Sequence, residues 1–300
     1  MILGNYFLES QRRNSTMQTS HTRRHFLQLA GVAAGLAAGQ SFAQAPAAQA
    51  AGSQAPRKYP FALGLASYTT KDFTLDQTLA MTTRVGLTHL CLKSFHLPLD
   101  ATTEQIAQAV EKVKKAGLVL YGGGVISMKT PAEVEQAFAY AKAAGMTTIV
   151  GVPYPDVLPL VNEKVQQSNI RVAIHNHGPE DKVYPTPQSA YEKIKDLDKR
   201  IGLCIDIGHT LRAGVCPAQA AKQYADRLLD VHIKDVSVAA KNGKTVEIGR
   251  GVIDIPAFLR ALREINYAAV VSFEFEKDPK DPLAGLAESI GYVRGVLAAI

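Results

Sequence analysis

The chain has 300 residues, 47% of them hydrophobic and 20% charged, which is ordinary for a soluble fold with a sizeable core. The formal charge of +6 is inflated by the N-terminus: residues 1–43 hold four arginines and one acid, so the remainder carries about +3. No Lys/Arg stripe runs through that remainder, which argues against nucleic-acid binding, and three cysteines without finger spacing exclude a disulfide framework.

In chain order, "HTRRHFLQLAGVAAGLAAGQSFAQA" pairs Arg23 and Arg24 ahead of an Ala/Gly-rich apolar stretch too short to span a bilayer. It resembles the bacterial twin-arginine (Tat) export motif. That implies engagement of the Tat machinery, cleavage near Ala43, a periplasmic location and no membrane attachment afterwards. No cysteine follows the stretch to carry a lipid. The Ala/Gln/Gly/Pro/Ser run over 44–58 is expected to be a flexible linker, and the folded domain is expected over 59–300.

From Phe61 onward one rhythm repeats eight times. "FALGLASYT" is a predicted strand, followed by a helix over Leu75–Val85 that stops at Gly86. "HLCLKSFHL" is the second strand, with a helix over Thr103–Ala116 before Gly117. "LVLYGGGVI" is the third. Thr130-Pro131-Ala132-Glu133 then opens a helix with Thr at the cap and Pro in the first turn, running to Gly145. "TTIVGVPY" is followed by a helix over 156–167. "IRVAIHNHG" precedes a helix from Pro187 to Leu197, and "IGLCIDIGH" one from Pro217 to Leu228. "LDVHIKDV" leads through a loop to a helix over Ile255–Ile265. "AAVVSFEFE" precedes the last helix, Leu283–Leu297.

Eight apolar strands alternating with eight helices predict a parallel sheet with crossover helices, at the scale of a single (β/α)8 barrel. An open doubly wound sheet would want a glycine-rich dinucleotide fingerprint, and "GGGVI" lacks its spacing.

In such a barrel the active site lies at the C-terminal ends of the strands. Side-chain alternation puts His175 and His177 on one face of the fifth strand. Cys204 and Asp206 share a face of the sixth, with His209 just beyond. Asp230, His232 and Lys234 share one on the seventh, and Ser272, Glu274 and Glu276 on the eighth. Lys93 lies on the face of Cys91 in the second strand, with His96 past it. Five of the six histidines after the signal segment fall at such ends, whereas histidines placed for solubility would scatter. His175, Asp206, His232 and Glu274, from four consecutive strands, would converge as a divalent-metal set of nitrogen and oxygen donors suited to Mn, Mg, Co, Fe or Zn. Cys91 and Cys204 read as small core residues.

Taken together, "CIDIGHT", "DVHIKD", "GRGVID" and "SFEFE" resemble the xylose-isomerase-like TIM barrels, which include sugar phosphate isomerases/epimerases, ketose 3-epimerases, inosose dehydratase and endonuclease IV. The likeness covers roughly residues 60–298. It implies Asp206, His232 and Glu274 as metal ligands. It also implies a glutamate where this chain has His175, since "HNH" replaces the usual "ENH". The implied chemistry is proton abstraction beside a metal-bound carbonyl of a keto-sugar or polyol, giving an isomerase or epimerase. Glu274 would be the base, with His177 and Lys234 as further acid/base groups. His209, Lys93, His96 and Arg250 are the expected substrate contacts. With one carboxylate of the usual pair missing, a lyase or dehydratase outcome and a non-catalytic sugar-binding barrel both stay open. An endonuclease-like three-metal site is disfavoured because "GGGVISMK" supplies no histidine.

Overall fold

A computed structural model describes residues 59–300. The expected signal segment (1–43) and linker (44–58) lie outside the described residues.

Eight parallel strands form a closed barrel: β1 (Ala62–Ala66), β2 (His89–Leu92), β3 (Val119–Met128), β4 (Thr148–Pro153), β5 (Arg171–His175), β6 (Ile201–Asp206), β7 (Leu228–Ile233) and β8 (Val270–Phe273). Neighbours follow chain order, and β8 pairs with β1 to close the ring. The strands are buried on both faces, which is why they read as apolar runs rather than alternating ones.

Around the barrel, among the described residues, lie α1 (Leu75–Arg84), α2 (Thr103–Lys115), α3 (Pro131–Ala143), α4 (Leu158–Ser168), α5 (Pro187–Ile194), α6 (Ile207–Arg212), α7 (Pro217–Gln223), α8 (Ile255–Glu264) and α9 (Leu283–Ala299). The helix starts are written locally. Thr74, Thr102 and Thr130 each cap the third residue of their helix, and Gln77, Gln105 and Glu133 reach back, making three capping boxes. Gly117 and Gly145 follow α2 and α3 at φ 73° and 65°, a left-handed turn that a side chain would resist.

Two apolar layers result. The outer one packs helices on the barrel through residues such as Leu90, Ile149, Val161, Phe258 and Leu286. The inner one fills the barrel with Ala62, Cys91, Tyr121, Val150, Ala173, Cys204 and Val270. Both strand cysteines are therefore interior, as their apolar neighbours suggest.

Several boundaries differ from the sequence reading. "IGLCIDIGH" stops being a strand at Asp206, because the Asp206 side chain accepts the His209 N–H at 2.8 Å and starts α6 at Ile207. "LDVHIKDV" leaves the barrel after Ile233, and Asp235–Val236 pairs instead with Thr245–Val246 in a short antiparallel ribbon. Asp235 fixes this excursion by accepting four backbone N–H bonds, from Val236, Gly249, Gly251 and Ile253. A Cβ at position 251 would meet Asp235 Oδ1 at 2.2 Å, so the loop needs its glycine there.

Candidate metal centre

Barrel register brings the polar strand ends together. His175 is level with Cys204 across β5 and β6, and Asp206 with His232 across β6 and β7. Ser272 is level with His232 across β7 and β8, which carries Glu274 to the same mouth. One donor atom from each of His175, Asp206, His232 and Glu274 lies within 4.8 Å of the other three. All four residues are buried.

The donor atoms lie close to one another. His175 Nε2 is 3.4 Å from Asp206 Oδ2, and His232 Nδ1 is 3.2 Å from Glu274 Oε2. Neither pair is aligned as a hydrogen bond: both nitrogens of each imidazole, and Asp206 Oδ2, are buried without a hydrogen-bond partner. Orphaned polar atoms in a barrel interior are costly unless something else satisfies them. A divalent ion binding such donors at about 2.0–2.2 Å would set them at most about twice that apart, close to the spacing present. The residues fit such an ion.

Lys234 completes the charge balance. Its Nζ lies 2.9 Å from Asp206 Oδ2, off the hydrogen-bonding direction, and donates to Glu274 Oε2 at 2.8 Å and to Glu276 Oε1. Burial alone would push this lysine down, but Asp206, Glu274 and Glu276 outweigh it and hold the ammonium well above the usual lysine range. Burial would likewise raise Glu274, yet Lys234 and then His232 keep its carboxyl well below the usual range. Asp206 is held down in the same way, by Lys234 foremost, against the effect of burial. Burial pushes His175 well down, so this ring is neutral, as a ligand imidazole must be.

The remaining expected residues divide. His177 is half-buried beside His175, with ring centroids 4.4 Å apart and Nδ1 3.7 Å from Asp181 Oδ2. His209 accepts at Nδ1 from the Arg212 guanidinium at 3.0 Å, which fixes its ring next to His177. Lys93 lies over the Tyr68 ring, 5.3 Å from its centroid. His96 is not brought to the centre. Its Nδ1 is bonded to Ser67 Oγ, and its Nε2 faces Thr78 Oγ1 and the carbonyls of Thr70 and Phe73, so no ring nitrogen is left for a substrate. Arg250 is exposed, and its guanidinium fork is taken up by Glu288 of α9 at 2.5 and 2.8 Å.

Other residues at the centre were not singled out from the sequence for the roles they take. Glu276, exposed at the mouth, pairs with Lys234. Asn176 of "HNH" points away from the two histidines and clamps β5 to β6, accepting from the Asp206 N–H at 3.1 Å and donating to Thr210 Oγ1. Alternation along the strand already places it on the opposite face. A cavity of about 380 Å³ opens beside the quartet, with His209, Arg212, Lys234, Lys244, Glu276 and Lys277 in its wall. Its size and polarity suit a small hydroxylated molecule.

A family described as "Xylose isomerase-like TIM barrel" matches residues 89–296. Over 137 residues the chain is 24% identical to an inosose dehydratase of Lacticaseibacillus casei, a stretch that covers 41% of this chain and 46% of that one. The aligned stretches span less than half the length of the curated relatives the chain matches. Among solved structures, an L-ribulose 3-epimerase superposes with a TM-score of 0.66 at 18% identity, covering 79% of this chain and 95% of that one. The IolI protein with a bound zinc atom superposes with a TM-score of 0.64 at 19% identity, covering 79% and 98%. At these identities the structural likeness carries the fold.

Proposed function

The chain belongs to the xylose isomerase-like TIM barrel family, and from that premise we propose that it is a metal-dependent isomerase or epimerase that removes the proton beside a carbonyl of a keto-sugar or related polyol. The observation that carries this reading is the buried contact between an ionised Glu274 and a protonated Lys234, set against the orphaned donors of His175, Asp206 and His232. Those four ligands would hold a divalent ion, which when bound would polarise the substrate carbonyl and acidify the neighbouring C–H.

Glu274 is the base. It is ionised, it lies at the mouth end of β8, and its carboxylate is aimed by Lys234. Lys234 contributes a fixed positive charge and three donor protons where negative charge develops on the carbonyl oxygen. His177 and His209 stand at the open side of the quartet, where they can bind hydroxyls; burial lowers both imidazoles, so each can accept a proton. In an isomerase Glu274 hands the proton it removed to the neighbouring carbon; in an epimerase Glu274 keeps that proton and His177 relays a different one from solvent to the opposite face.

One feature favours a dehydratase as a second reading. A symmetric epimerisation wants a carboxylate on each face of the carbon, and here the residue facing Glu274 across the quartet is the imidazole His175. Loss of a β-hydroxyl needs only one acid–base group, since Glu274 can pass the proton it removed to the departing hydroxyl while the fixed charge of Lys234 steadies the developing anion. The stretch shared with inosose dehydratases supports it.

The test is solvent deuterium exchange, followed by NMR, into ketoses, 3-keto-sugars and inososes with protein loaded with Mn²⁺, Co²⁺ or Zn²⁺. Exchange with a rearranged product indicates the isomerase; exchange with loss of water indicates the dehydratase. Glu274→Gln is expected to lower exchange by about a thousandfold or more, the loss of an essential acid–base group. Undiminished exchange in that variant would remove Glu274 as the base. Ligand binding with no exchange at all would make the barrel a binding module.

A further inference from the structure

Beneath the quartet, one polar layer deeper in the barrel, lies a carboxylate that the reading above leaves unused. Asp230 sits on β7 two residues before His232, on the same face, and is fully buried. Among the described residues no lysine or arginine pairs with it, and the basic group that faces it is His232, whose Nε2 lies 3.8 Å from Oδ2. Its other contacts are neutral. The Tyr121 hydroxyl of β3 donates to it at 3.2 and 3.3 Å and also bonds Ser272 Oγ of β8 at 2.7 Å. Cys204 Sγ of β6 lies 3.5 Å from Oδ2. Two strands thus contact one carboxylate, with β8 bracing the tyrosine, where a barrel ordinarily packs branched apolar side chains. A buried carboxylate without a cation destabilises a fold, so its retention calls for a role.

The His232 ring supplies that role. Its Nδ1 faces Glu274 and the other ligands, while its Nε2 points down at Asp230. A neutral imidazole that ligates through one nitrogen carries its proton on the other, and an acceptor there selects the tautomer and fixes the ring plane. We infer that Asp230 is a positioning residue for the metal centre: its negative charge, 3.8 Å from His232 Nε2, favours the ring proton on that nitrogen, so that Nδ1 is presented to the ion, with Tyr121, itself held by Ser272, aiming the carboxylate. This rests on the metal reading of the quartet, and it adds a second carboxylate contact to one ligand from outside the set.

The test uses the isosteric Asp230→Asn in the full chain and two readouts apart from turnover. Co²⁺ affinity is measured by titrating the visible absorption of the bound ion, and the His232 tautomer is read from its ¹⁵N shifts in the Zn²⁺-loaded protein. The expected result is a 10- to 100-fold weaker Co²⁺ dissociation constant together with a shift of His232 away from the Nε2–H form. Tyr121→Phe, which loosens the carboxylate without removing it, should give a smaller weakening of the same sign, and it carries the test if Asp230→Asn fails to fold. Co²⁺ affinity within twofold of wild type and an unaltered tautomer in the variant that folds would overturn the inference. Wild-type protein that binds no Co²⁺ would sink the metal reading and this inference together, whereas wild-type binding with an unperturbed variant would sink the inference alone.

Discussion

His96 and His175 look alike in the sequence, each a histidine near the C-terminal end of a barrel strand, yet they have opposite fates. His175 meets Asp206, His232 and Glu274 with both nitrogens unbonded, whereas His96 is enclosed by Ser67, Thr78 and two carbonyls. Strand pattern tells which end of the barrel a residue occupies. It does not tell which hydroxyls arrive from the β1 end and α1 to consume its ring nitrogens. Replacing His96 by Leu should therefore cost about 1–3 kcal/mol of stability by stranding buried polar partners, measurable by denaturant titration, with KM unchanged. A shifted KM would restore His96 as a substrate contact. The pH dependence has a definite sign. Burial lowers the His96 imidazole below its ordinary value. Above about pH 6.5 the ring is neutral whether folded or not, and below it the unfolded chain takes up the proton first. Folding thus loses stability as pH falls, and calorimetric Tm should drop further between pH 7 and 5 in wild type than in His96→Leu. Arg250 shows the same limit: "GRG" marks the loop but not Glu288, which arrives from α9.

At the scale of single elements, the Thr130 cap was legible because it is local, spanning four residues. α6 was not, since six residues are too few for helical periodicity to show. What starts it is Asp206, whose two oxygens divide the work: Oδ1 caps α6 and Oδ2 faces His175 and Lys234. The two tasks can be separated. Asp206→Asn keeps a capping oxygen and loses the charge, while Asp206→Ala loses both. Both variants should bind metal more weakly. In metal-free protein the Ala variant should be less stable than the Asn variant by about 1 kcal/mol, the worth of an N-cap, as read by thermal melts. Equal melts would show that the cap contributes nothing. Alternation placed Glu276 on the face of Glu274 even though the chain leaves the β8 ladder after Phe273, but it could not name Lys234 as the partner.

The barrel as a whole was the most legible feature, because its rhythm is carried by eight repeats rather than by any one residue. The site was legible to the extent that barrel symmetry determines it: strand ends converge, so residues there meet. Ion pairs within the mouth, such as Lys234 with Glu276, depend on how loops fold back. If the quartet binds an ion, its ligands tie together β5, β6, β7 and the segment after β8, and binding must stabilise the whole domain. At a hundred times the dissociation constant the gain is about 2.7 kcal/mol, which for a domain of this size raises Tm by roughly 5–10 °C. Chelator-treated protein titrated with Zn²⁺ in a thermal-shift series checks this, and a flat response would count against the centre.

The ring closes by pairing β8, near the end of the chain, with β1, near the beginning of the described residues. During synthesis the carriers of His175, Asp206 and His232 leave the ribosome before Glu274 does, and the seam cannot be sewn until that last strand has emerged. If the quartet binds an ion, its full ligand set exists only once that last strand has closed the ring, so tight binding would report a finished barrel.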